Sequence, residues 1–288
     1  MSKVFPLQMV RERAKAFQIP YENMLIGCAK ERLLEQFLKN ADSELIKDVV
    51  FSGVTQLGVD RYRYTKESFL EMKVLKDTLE KEFLKGIRKS FIIVEGERCV
   101  EVIWQDEKKA EIEIKVPFEK VRIPIRIYIE ASPARKGSLQ TIVLPLCYEN
   151  DARIEIPCFF AEAELAFRFL EIWKRMELIA EISDFEKIYY MGKTFSLEGR
   201  RLSEYLSYYF LEDGITVSED RSKRVFNCKN DAPLKKRWKS YLSKEKRTSP
   251  TWEEVTEVFC SLYEPVIKML NKEEIFFGDW MPAIGRYL

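Results

Sequence analysis

Short segments between residues 91 and 148 alternate apolar and polar side chains, and this pattern constrains the fold more than any other feature of the chain. In residues 109–116, KAEIEIKV, charged and isoleucine side chains alternate. A period of two is typical of a strand with one buried and one solvated face. Pro124 predicts that its strand lies at an edge or a bulge, because proline cannot donate a ladder hydrogen bond. The predicted strands are 91–95, 98–104, 109–116, 121–130 and 141–148.

Helical periodicity occurs on both sides of this strand-rich region. Before it, helices are predicted over residues 8–18, 21–40 and 77–89. After Pro157 the pattern becomes helical, over 160–175, 182–191, 197–211, 234–242 and 252–270. The polar stretch 213–233 is predicted to be a long connecting loop. We therefore predict an α+β fold, with a mixed-sheet domain over residues 1–155 and a C-terminal helical bundle over residues 156–288.

The composition limits the chemistry that the chain can perform. Of its 288 residues, 46% are hydrophobic and 33% are charged, which is typical of a globular protein. The chain has no histidine, which excludes Ser-His-Asp and Cys-His nucleophile systems and histidine-ligated zinc. Chemistry must rely on carboxylates, Lys, Arg, Tyr or a hard metal ion held by oxygen. Phosphoryl transfer fits these groups, because positioning and charge neutralisation supply most of its catalysis.

The cysteines and the N-terminus bear on the cellular environment. The six cysteines are scattered, with no two closer than eleven positions and no zinc-binding spacing, so we interpret them as reduced structural thiols. The start, MSKVFPLQMVRER, has no apolar signal core, and no apolar run of eighteen residues occurs. A cytoplasmic protein without a membrane partner is expected.

The segment from Val49 to Leu75 carries the candidate site. A short apolar run ends at Ser52-Gly53, where a turn without a Cβ lets the backbone approach a phosphate closely. An ordinary turn between a strand and a helix is the alternative interpretation. Glu67 lies near the start of the next strand and is a candidate oxygen ligand for Mg²⁺, with Asp60 and Glu71 nearby.

This segment resembles the nucleotidyltransferase domain of the AbiEii/AbiGii-type toxins of type IV toxin–antitoxin systems. Those proteins carry a Phe-Lys-Gly-Gly-Thr-Ala-Leu-like turn followed by an Arg-x-Ser/Thr-x-Asp-x-Asp strand. At the two aspartate positions this chain has Glu67 and Phe69. The matching positions are held by Phe51, Gly53, Thr55, Leu57, Arg63 and Thr65.

The resemblance extends to later segments. At the place of a third carboxylate in the family, the strand 121–130 carries Arg126, which either pairs with phosphate or is a solvated outward residue. The helical half, AEAELAFRFLEIWKR and ISDFEKIYYM, resembles the Glu-Glu-x-x-Ala-x-Lys helix and the Arg-Asp-x-x-Asp-Leu segment of the family. In these segments Arg168 replaces the lysine, Asp184 matches the first aspartate and Lys187 replaces the second. LKKRWKSYL and WEEVTEVFCSLYEPV resemble the late helices of those toxins.

The resemblance implies a protein that binds a nucleoside triphosphate and Mg²⁺ in a cleft between two domains and transfers a nucleotidyl group to an acceptor such as tRNA. A cognate antitoxin protein is an expected partner. Glu67 is expected to hold the metal, Arg168 to neutralise phosphate charge, and Asp184 to orient the nucleotide or activate the attacking hydroxyl. The expected nucleotide-binding residues are Ser52, Gly53, Thr55, Arg63, Thr65 and Arg126. The alternative is a catalytically degenerate nucleotide- or RNA-binding pseudoenzyme or partner protein, because Phe69 and Arg126 stand at ligand positions.

Overall fold

The structure, a computed structural model, describes residues 6–53, 67–91, 100–132, 138–147, 152–178, 182–244 and 247–288. The chain divides into two compact units, Met1–Phe159 and Phe160–Leu288. The predicted boundary near residue 155 falls within the last strand of the first unit. The described residues form ten α-helices and a seven-stranded mixed sheet, so the α+β class is confirmed.

The first unit is built around this sheet, whose strand order is β3-β4-β5-β2-β1-β7-β6. Neighbouring strands run antiparallel, except for the pairs β2–β5 and β1–β7, which are parallel. The helices are α1 (Leu7–Ala16), α2 (Tyr21–Asn40), α3 (Ser43–Lys47) and α4 (Lys81–Ser90). The strands are β1 (Val49–Ser52), β2 (Phe69–Val74), β3 (Val100–Gln105), β4 (Lys109–Phe118), β5 (Val121–Ala131), β6 (Leu139–Pro145) and β7 (Arg153–Phe159).

The core of the first unit lies between one face of the sheet and α2. Phe37 of α2 contacts the rings of Phe51 on β1 and Phe91 after α4, with centroid distances of 5.4 and 4.9 Å. All three rings are fully buried, and each stabilises the unit by roughly 1.5–3 kcal/mol. On the central strands β2, β4 and β5, the opposite face carries mostly charged and aromatic side chains, as the alternating pattern predicts.

The sheet differs from the sequence prediction in two respects. Pro124 does not mark an edge strand, because β5 lies between β4 and β2. Pairing of β5 with β2 begins only at Arg126, so at Pro124 the strand pairs with β4 alone. The strand β7 was missed, because Pro157 resembles a strand terminator. The predicted strand 91–95 lies outside the described residues, except for Phe91, which caps α4.

The second unit is helical. Its core is an aromatic cluster in which the ring of Phe169 contacts those of Trp173, Phe210, Phe226, Phe259 and Tyr263. The helices are α5 (Ala161–Arg175), α6 (Ser183–Thr194), α7 (Gly199–Glu212), α8 (Glu219–Phe226), α9 (Ala232–Lys244) and α10 (Trp252–Leu270). A small sheet contains β8 (Leu197–Glu198), β9 (Asp279–Met281) and β10 (Arg286–Tyr287).

The prediction of a loop over residues 213–233 was wrong, since this stretch contains α8 and a short 3₁₀ turn. The hydroxyl of Ser218 accepts a hydrogen bond from the backbone N–H of Arg221, and Glu219 and Asp220 occupy the first helical turn. Both features stabilise a helix N-terminus. In the described ranges, none of the helices has the length and apolar character that crossing a bilayer requires.

Candidate functional site

The turn after β1 is the first element of the candidate site. Val49, Val50 and Phe51 are buried in the sheet, whereas Ser52 and Gly53 are partly exposed. Gly53 has a φ of 73°, in the left-handed region that glycine adopts without strain. The apolar residues therefore fix the strand, and the turn that follows is open to solvent at its surface.

The strand register places several predicted positions side by side. Ser52 on β1 lies opposite Glu71 on β2. Phe69 on β2 is in register with Arg126 on β5, and the backbone N–H of Arg126 donates to the Ser68 carbonyl at 2.9 Å. Adjacent strands are about 4.8 Å apart, so three neighbouring strands bring these side chains to one end of one sheet face.

Arg126 lies within a charged network on this face. Its Nη1 lies 3.2 Å from Glu111 Oε1, and its Nε lies 3.8 Å from Glu113 Oε2 on β4. A hydrogen bond with Tyr128 raises the pKa of Arg126, and Glu111 contributes in the same direction. The side chain is 51% exposed, so water screens these contacts and a phosphate could compete for the guanidinium. Arg126 can therefore either remain paired or bind an anion.

Glu67 precedes β2 and is partly exposed. Its carboxylate interacts electrostatically with Lys30 of α2, whose side chain is buried. Burial lowers the pKa of Lys30 to about 8, while Glu67 and Glu31 oppose this shift. Lys30 thus remains largely protonated at neutral pH and is a buried cation beside the predicted metal ligand.

Lys30 was not among the predicted site residues, although the sequence around it carries a signal. Lys30, Glu31 and Arg32 are consecutive charged residues in a helix, and successive helical residues are rotated by about 100°. Three consecutive side chains therefore span about 200° around the helix axis, so at least one of them must face the core. All three are buried, with exposed fractions of 2–5%. Their burial requires partners, and Arg32 donates to the Pro117 carbonyl at 2.5 Å.

The described residues contain only part of the set that was predicted to bind Mg²⁺. Within them, no group of three or more Asp, Glu, Cys or His side chains could hold a metal ion. Of the three positions at which the sequence resemblance leads one to expect a carboxylate, only that of Glu67 carries an acid, while Phe69 and Arg126 occupy the others. Phe69 packs against Tyr128 with ring centroids 5.5 Å apart. Thr55, Arg63 and Thr65 lie outside the described residues.

The second unit brings its two predicted catalytic residues together. Nη1 of Arg168 on α5 donates to Oδ1 of Asp184 on α6 at 2.6 Å, and both residues are 8% exposed. Nη2 of Arg168 lies 4.0 Å from Oε2 of Glu164. The guanidinium is therefore neutralised within the helical unit, and binding a phosphate would require it to share or exchange these carboxylates.

Comparison with known proteins gives low similarity. The chain is similar to a candidate nucleotidyltransferase from H. pylori, with 14% identity, a TM-score of 0.38, and coverage of 85% of this chain and 96% of that chain. It is also similar to JHP933 from Helicobacter pylori, with 13% identity, a TM-score of 0.36, and coverage of 84% and 92%. No protein-family model and no curated protein matches the sequence. Similarity at this level establishes neither a family nor an activity.

Proposed function

We propose that the protein binds a nucleoside triphosphate at the turn Ser52-Gly53 and transfers its nucleotidyl group to an acceptor such as tRNA. The main support for the proposal is the strand register. Phe69 on β2 is aligned with Arg126 on β5, and β1, which ends at this turn, pairs with the other side of β2. The resemblance to AbiEii-type toxins implies this arrangement of motif positions. A cognate antitoxin would be the protein partner of such a toxin.

In the proposed site, the partly exposed turn binds phosphate through its backbone, and Gly53 keeps the approach free of a Cβ. Arg126 pairs with phosphate oxygens as a planar fork, and Lys30 adds a point charge. In the second unit, Arg168 holds Asp184 by a hydrogen bond, and the role of general base stays a prediction for this carboxylate. Glu67 would be the ligand of Mg²⁺, which supplies charge neutralisation in such reactions. Among the described residues, no further ligand of the ion is assigned.

Nucleotide or RNA binding without turnover is the second candidate function. The pairing of Arg126 with Glu111 and Glu113 at a ligand position favours it, because the guanidinium offsets part of the charge of these carboxylates without a metal ion. The two candidate functions predict different assay results. Both require triphosphate binding, and only the first requires transfer of label to an acceptor.

The test combines a binding assay with a transfer assay. We expect α-³²P-labelled nucleoside triphosphates with Mg²⁺ to label total tRNA, and Glu67→Ala to abolish this labelling. Triphosphate binding in EDTA, measured by calorimetry, is expected to persist, because Lys30 and Arg126 supply fixed cations. Binding with no labelling for any of the four nucleotides would establish the second candidate, and absence of binding would refute both.

A glycine pair supplies the matched control. Gly53 and Gly214 both have a positive φ, 73° and 63°, and a Cβ added to Gly214 would meet nothing within 4 Å. An alanine at either position carries a similar backbone strain of about 1 kcal/mol. Gly53→Ala is expected to weaken triphosphate binding at least tenfold, while Gly214→Ala leaves it unchanged. Equal binding by both variants would exclude the turn as the phosphate site.

A further inference from the structure

Two cysteines that are far apart in the sequence meet in the interior of the first unit. Cys28 lies on α2, and Cys147 lies two residues after β6. Their Sγ atoms are 2.7 Å apart, although 119 positions separate them along the chain. Both residues are buried, with exposed fractions of 0% and 6%. The S–S bond of a disulfide is about 2.0 Å long, so the sulfur atoms are close to bonding distance.

A second contact between the same two segments fixes their relative position. The backbone N–H of Cys147 donates to Oε2 of Glu31 at 2.7 Å. Glu31 lies three residues after Cys28, and residues with this spacing share one face of a helix. The helix therefore holds the chain at Cys147 through a backbone hydrogen bond and a sulfur contact on the same face. Little movement of the backbone is needed to join the two sulfur atoms.

We propose that Cys28 and Cys147 are an oxidative modification site, at which hydrogen peroxide converts the two thiols into a disulfide that joins α2 to the edge of the sheet. The sulfur of Cys147 attacks one peroxide oxygen, the O–O bond breaks, and a sulfenic acid and water form. The sulfur of Cys28 then displaces the sulfenic hydroxyl, which leaves as a second water. Two thiols lose two electrons and two protons, and one peroxide is reduced to two waters.

The surroundings of the pair set its reactivity. A hydrogen bond with Cys28, followed by burial and the nearby Glu31, raises the pKa of Cys147. Since the thiolate is the reactive form, oxidation is slow at neutral pH and accelerates as the pH rises. Cys147 is 6% exposed, and the proposed oxidation requires that peroxide, which is little larger than water, reaches its sulfur. Once formed, the buried disulfide is protected from large reductants.

The second unit contains a cysteine pair that must be distinguished in any test. Cys228 and Cys260 share a hydrogen bond that lowers the pKa of Cys260, which is also partly exposed. This pair is expected to oxidise first. A count of total thiols would therefore confuse the two pairs, and only identification of the linked peptides separates them.

The experiment is a peptide map of the intact chain after graded exposure to hydrogen peroxide. Remaining thiols are blocked in denaturant, and the chain is digested without reductant and analysed by mass spectrometry. We expect a peptide pair joining Cys28 to Cys147, lighter than the sum of its parts by two hydrogen atoms. Cross-linking should raise the melting temperature by on the order of 5–10 °C, because the linkage constrains a long loop of the unfolded chain. A small reductant such as dithiothreitol should reverse this rise.

Single serine variants provide the controls. The linked peptide should be absent from Cys28→Ser and Cys147→Ser and present in Cys158→Ser, which changes another buried cysteine of the same unit. A folded wild-type protein that never yields this peptide, or in which Cys147 is linked elsewhere or oxidised alone, would overturn the proposal. If a variant fails to fold, the wild-type map alone still decides.

Discussion

Replacement of Arg168 by methionine tests whether the predicted catalytic pair is also a structural one. The side chains of Arg168 and Asp184 are 9% and 11% exposed, and that of Glu164 is 3% exposed. Methionine keeps much of the apolar packing of the arginine stem and removes the cation. Asp184 and Glu164 then lose the charge that compensates them inside the helical unit.

The structure sets the size of the effect. Breaking a buried ion pair by removing one partner costs about 3–5 kcal/mol, whereas an exposed helical pair contributes only about 0.3–0.5 kcal/mol. Arg200 and Glu204 provide the exposed comparison, with a distance of 2.8 Å and exposed fractions of 63% and 50%. We expect Arg168→Met to lower the free energy of unfolding by at least 3 kcal/mol and Arg200→Met by about 0.5 kcal/mol.

Urea denaturation followed by tryptophan fluorescence measures this difference. Four of the five tryptophans belong to the second unit, so the signal reports mainly on its unfolding. The double variant with Asp184→Asn should be less destabilised than the sum of the single variants, by about 1.5 kcal/mol or more. If Arg168→Met is no more harmful than Arg200→Met, the ion pair is solvated in solution and the argument from burial fails.

Three further predictions concern buried charge and helix capping. Burial lowers the pKa of Lys30 from 10.5 to about 8, so between these pH values the unfolded state binds more protons than the folded state. The free energy of unfolding, measured by urea titration, should therefore rise by about 3 kcal/mol from pH 8 to 10.5. The Lys30→Met variant should not show this rise. Glu186 accepts hydrogen bonds from Arg247 at 2.5 and 3.1 Å and from Tyr241 at 2.6 Å, so Glu186→Gln should lower stability by about 2 kcal/mol in the same assay, and an unchanged midpoint would contradict this. Thr251 and Glu254 form a capping box at α10, and Thr251→Ala should lower the melting temperature through a loss of about 1 kcal/mol, measured by circular dichroism.

Elements with a strict local period could be predicted from the sequence. The helix 21–40 and the strands near 109–116 and 121–130 appear within a few residues of their predicted bounds, since each has an apolar face that only one period satisfies. The strand β7 could not be predicted in this way, because its parallel neighbour β1 lies about a hundred residues earlier in the chain. A local pattern that contains Pro157 carries no information about such a partner.

The sequence predicts neighbouring positions for part of the candidate site, and the roles of these residues stay predictions. The sequence places Ser52-Gly53 and Arg126 on separate strands, and the register of β1, β2 and β5 brings them to one end of the sheet. Lys30 is set by tertiary packing, since its burial depends on how α2 lies against the sheet. The contact of Cys28 with Cys147 has the same origin, because no sequence spacing encodes a distance across 119 positions.

The charges at this end of the sheet limit what Arg126 and its neighbours can bind. A carboxylate in place of Arg126 would lie near Glu111 and Glu113, and three such groups repel one another unless a cation lies among them. Arg126 supplies that positive charge from the chain itself. Lys30 adds a second fixed cation, since a pKa of about 8 leaves it protonated at neutral pH. In the proposed site, phosphate oxygens pair directly with Arg126, whereas Lys30, which is 4% exposed, contributes through its charge. The proposed nucleotidyl transfer depends on which other ligands join Glu67.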